Sequence, residues 1–233
     1  MSILTDLYTD VAEFRQYVPG ISSDLEFDEL NGTAISTKNQ ILSILTKDIW
    51  TKIIVDNGSE IRQSLQVAFG NLLMHKVLIF TLIAKRTSKD TDFYNYELET
   101  MQRQHIDNYF NSMDSILREL EENEDYKELW SATTNFKLRE SLKIKTTDEF
   151  NSFYNIDMSY LFCNRTLFVQ REVLDSNIGD YCIRIKDRED DFEMKLKRAL
   201  VLWVISIALT RFDIIEFPPT IRSLFDEQKA SRN

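Results

Sequence analysis

The chain has 233 residues and a formal charge of −10, from 28 basic and 38 acidic side chains. With 15 Phe, 9 Tyr and 3 Trp in a 43% apolar composition it is no disordered acidic tail. Five Gly and three Pro are too few to punctuate an all-β sandwich or to build Gly-rich phosphate loops, and the acidic balance opposes broad, sequence-independent binding of nucleic acid, which needs basic surface to release counterions.

The elements follow from the spacing of apolar residues. Leu7, Val11, Phe14 and Val18 share a face of a short helix over 6–17, ended by Pro19-Gly20. A polar stretch through Asn31-Gly32-Thr33 leads to Ser36, the expected N-cap of a helix carrying Ile41, Leu42, Leu45, Ile49 and Ile53. Asp56-Asn57-Gly58 breaks the chain, and Asn57 with Glu60 has capping-box spacing for a very apolar helix over 59–86. A long helix then runs to about Glu122 on a stripe of Leu98, Met101, Ile106, Tyr109, Met113, Ile116, Leu117 and Leu120. Its acidic end, 119–125, opposes the helix dipole and is expected to fray.

After this point the period changes. Phe136, Leu138, Leu142 and Ile144 alternate with Lys137, Arg139, Ser141, Lys143 and Lys145, a strand pattern, and Tyr181 to Lys186 alternates in the same way. The two segments are expected to pair as a small two-stranded β element or to extend as β arms. Helical pieces over 148–155 and 160–174 lie between them. The charge run 187–191 reads as a solvated helix start, 192–212 as a second core helix, and Phe217-Pro218-Pro219 as its stop. Beyond it, Phe217, Ile221, Leu224 and Phe225 recur at helical spacing, suited either to covering the chain's own core or to docking on another subunit.

Chemistry has little to build on. The two histidines, His75 and His105, stand in helical stretches outside any H-x-x-x-H or H-E-x-x-H pattern, and no phosphate loop or nucleophile elbow occurs. Cys163 and Cys182 form no C-x-x-C pair and are expected to be buried thiols. The opening residues lack the charged and apolar regions of a secretion signal, and neither 67–84 nor 199–209 reads as a membrane span. The sequence therefore predicts no enzyme, no cofactor, no metal and no membrane association. Its interaction candidates are the apolar tail and the basic cluster Lys137, Arg139, Lys143 and Lys145. The plainer reading of that cluster is the solvated, lysine-rich face of a strand.

The halves repeat one plan. Glu13-Phe14-x-x-Tyr17 returns as Glu149-Phe150-x-x-Phe153, and Ala68-Phe-Gly-Asn-Leu-Leu-Met finds a counterpart, at nearly the same distance along the chain, in Ala199-Leu-Val-Leu-Trp-Val-Ile. The expected fold is mainly α, a duplicated helical bundle, with residues 1–125 and 126–216 as the two repeats and 217–233 as a tail. Leu72 and Trp203, at matching positions, are both expected to be buried. The twice-given order of a short E-F-x-x-Y/F helix, a linker, a packed helix and an apolar helix resembles a helical family of phages and prophages of Bacteroides-type bacteria. More loosely, it resembles the head–tail connector (adaptor ring) proteins of tailed phages. That resemblance implies a virion structural protein in the neck, assembled in the host cytoplasm. It implies a homo-oligomeric ring of about a dozen copies, portal and tail proteins as neighbours, and DNA passing without specific binding. Apart from the phage connector, a bacterial cytosolic helical module binding a ligand or partner fits the same pattern.

Overall fold

The computed structural model describes residues 3–21, 25–85, 92–178 and 190–230. The chain divides into two compact units, Met1–Trp130 and Ser131–Asn233. Among the described residues all regular structure is helical.

The first unit holds α1 (Ile3–Leu7), α2 (Val11–Tyr17), α3 (Phe27–Val55), α4 (Glu60–Lys85), α5 (Asp92–Glu122) and α6 (Glu124–Ser131). The expected opening helix is in fact two. Asp10 caps α2 by accepting from the Glu13 amide at 2.8 Å, and Glu13 Oε2 accepts in return from the Thr9 amide at 2.6 Å. This reciprocal box satisfies amides that the helix start would otherwise orphan. The same carboxylate accepts from Gln66 of α4 at 3.1 Å, so α2 is pinned to α4 by its own cap. Phe14, Leu7 and Val18 are buried beside it.

Ser36 is no cap. Helix α3 starts well before it, at Phe27, because Leu30, Ala34, Thr37, Ile41 and Leu45 hold one buried face straight through the polar Asn31-Gly32-Thr33 stretch. It bends at Thr46, whose φ of 67° is outside helical geometry. Ser59 rather than Asn57 caps α4, accepting from the Arg62 amide. The acidic end of α5 does not fray into a loop. Asn123 bonds Glu119 and accepts from the Asp125 amide, ending α5 and starting α6 in a single residue.

The second unit holds α7 (Thr134–Glu140), α8 (Thr147–Phe153), α9 (Tyr160–Arg165), α10 (Leu167–Val173), a π turn over Leu174–Ile178, α11 (Asp190–Arg211), a 3-10 turn over Ile214–Glu216 and α12 (Pro219–Ala230). The expected β element is absent from the described residues. Phe136 to Glu140 is helical instead, because Thr133 accepts from the Phe136 amide and caps α7. Alternation survives only past the helix, where Leu142 and Ile144 are buried between exposed Lys143 and Lys145 without pairing as a strand. The segment Tyr181–Lys186 and residues 187–189 of the charge run lie outside the described residues, as does Cys182; Cys163 is a buried thiol.

Helix α8 repeats the box of α2. Thr146 accepts from the Glu149 amide at 3.1 Å, Glu149 Oε2 accepts from the Lys145 amide at 3.1 Å, and Glu149 Oε1 takes Lys197 of α11 at 2.8 Å. Phe150 is buried beneath, edge-on to Phe162, in a core with Val173, Leu200, Val201, Val204, Ile205 and Ala208.

The glycines of the two long helices α3 and α4 stand in opposite surroundings. A Cβ on Gly70 of α4 would fall 2.3 Å from Val18 Cγ2 and 2.8 Å from the Tyr8 hydroxyl, which donates to the Gln66 carbonyl. Gly32 of α3 meets nothing within 4 Å. Alanine should therefore act with opposite sign at the two sites. Gly70→Ala is expected to destabilise by roughly 1–3 kcal/mol through overpacking, and Gly32→Ala to stabilise by up to about 1 kcal/mol through helix propensity. Denaturant melts of the two variants check this.

Candidate functional site

The tail residues singled out in the sequence belong to the second unit's own core. Phe217 and Ile221 are each only 1% exposed, Phe225 packs against the same cluster, and only Leu224, at 47%, faces out. Polar ties hold the tail in place: Asp157, in the turn before α9, accepts from the Thr220 amide at 2.8 Å at the start of α12, and Arg165 pairs with Glu216. The basic cluster does not converge on a site. Lys137 and Lys143 are exposed, Arg139 lies 4.8 Å over the Phe136 ring, and Lys145 pairs with Glu140 at 3.5 Å.

The histidines sit between α4 and α5. His105 is buried and its Nδ1 lies 2.8 Å from Asn71 Oδ1, which also accepts from Asn108 at 3.1 Å. Because Asn71 Nδ2 donates to the Val67 and Tyr17 carbonyls, Oδ1 is left as acceptor and His105 must donate from Nδ1. His75 Nδ1 lies 3.1 Å from the Gln102 carbonyl. Burial lowers the pKa of both rings, and their mutual repulsion adds to this for His105. This network fastens α5 to α4. Among the described residues no group of three or more potential ligands stands close enough to hold a metal, and no helix is long and apolar enough to cross a membrane.

One open cleft, of about 820 Å³, lies between the C-terminal turn of α3 and α6. Lining residues are tied across it: Lys52 donates to the Asp125 carbonyl and sits 4.7 Å over the Tyr126 ring, while the Tyr126 hydroxyl donates to Asp56 at 3.0 Å. Burial, then the Asp56 carboxylate, hold the Tyr126 phenol above its usual range. This is chiefly a tie between α3 and α6.

The most unusual surface is on α11. Its inner face, Leu200, Val201, Val204, Ile205 and Ala208, is buried in the core, as expected of the second core helix. Its outer face is apolar too. Leu202, Trp203 and Leu209 are 46%, 45% and 41% exposed, with Phe192 beyond them at 44%. Trp203 is therefore not buried as its repeat position predicts, whereas Leu72 is. The repeat explains the difference. The step that relates Ala199 to Ala68 takes Leu202, Trp203, Ser206 and Leu209 back to Asn71, Leu72, His75 and Leu78. Asn71 and His75 are the residues that bind α5, so in the first unit this face is covered by a long helix. In the second unit the same face stays nearly half exposed at Leu202, Trp203 and Leu209.

No family model, no curated protein and no solved structure matches the chain. The outer face of α11 escaped the sequence reading, although a signal was present: a helix apolar on all sides needs partners on both.

Two measurements test these placements. Removing residues 217–233 should lower the melting temperature and promote aggregation, since burying Phe217 and Ile221 alone contributes roughly 1.5–3 kcal/mol each; an unchanged melt would contradict the tail's place in the core. For the histidines the folded pKa is depressed below the ordinary 6.5. The unfolded chain then takes protons first, so their contribution is complete above about 6.5 and declines as pH falls through that value toward the folded pKa. Stability followed from about pH 7 to pH 5 should fall less steeply in the His75→Gln/His105→Gln double variant than in the parent.

Proposed function

We propose that this chain is a structural assembly protein whose work is done by its surfaces. The carrying observation is the exposed apolar face of α11, backed by a complete core and repeated in the first unit as a covered helix–helix contact. Monomeric proteins rarely keep several large apolar side chains exposed on one helix face unless that face is used. The finer reading comes from the family resemblance: a head–tail connector or portal-associated ring subunit in the neck of a tailed phage, with portal and tail proteins as neighbours and no catalytic role. The acidic surface suits a channel wall that DNA passes without adhering. The rival reading, a cytosolic helical module binding a ligand or partner, is favoured by the cleft between α3 and α6.

Mass by light scattering across a concentration series tests the proposal. A self-assembling subunit gains mass with concentration, and a connector reaches about a dozen copies alone or on its portal. A monomer at every concentration, with and without portal, defeats the assembly reading. A small ligand that protects Tyr126 fluorescence or raises the melting temperature would instead favour the rival.

A further inference from the structure

We draw no further inference here: the strongest candidate, the half-exposed apolar face of α11 around Leu202, Trp203 and Leu209, carries none because nothing in the structure shows what covers it.

Discussion

Each unit is organised by one carboxylate. Glu13 and Glu149 each close the start of a seven-residue helix by accepting a backbone amide, and each spends its second oxygen on the long helix behind, Gln66 in one unit and Lys197 in the other. A helix of that length is too short to hold itself in water. Once capped and tied, it drives a phenylalanine, Phe14 or Phe150, into the core and fixes which side of α4 or α11 faces inward. The direction of every other face follows from that. Glu13 is only half-buried, and hydrogen bonds from the Thr9 hydroxyl and amide are the first cause of its depressed pKa, so the box is set by local geometry more than by a buried charge.

The local agreement between the units strengthens the case for duplication beyond what apolar pattern supports. A capped E-F helix by itself is a common device. Here the second oxygen of each glutamate reaches residues 66 and 197, which stand in the same relation as Ala68 and Ala199 in the apolar stretches. The cap motif and the long helix are thus matched through a contact as well as through their order along the chain. The units diverge on the opposite side of that helix. In the first, Asn71 and His75 are polar because α5 arrives with His105, Asn108 and the Gln102 carbonyl to meet them; in the second, the same positions are Leu202 and Ser206.

How much was legible depended on whether one helix face or several carried the signal. The stripe from Leu98 to Leu120 reads as a helix because it is buried on one side only, and α5 runs as its period says. The start of α3 was hidden because Asn31-Gly32-Thr33 looks like a turn by composition, while the buried face steps over it through Leu30 and Ala34. The lysine-rich segment misled for a physical reason. A short capped helix followed by an extended stretch burying Leu142 and Ile144 yields, over 136–145, the same alternation as a strand. Trp203 shows the remaining limit: periodicity reveals that a face is apolar, never whether the chain itself provides the cover.

The crowding at Gly70 also sorts the two halves from each other. Its counterpart in the second repeat is Val201, fully buried in that unit's core. Helix α2, with Val18 and Phe14 pressed against a bare backbone, cannot seat on α11, where a branched side chain fills that space. In the other direction, α8 moved onto α4 would leave a void where the valine belongs, and its glutamate would meet the Gln66 amide instead of an ammonium. Two halves that share a plan are ordinarily at risk of exchanging parts while they fold. One small difference in side-chain volume at the tightest contact, and one change of charge at the tie, give each short helix a single address along the chain.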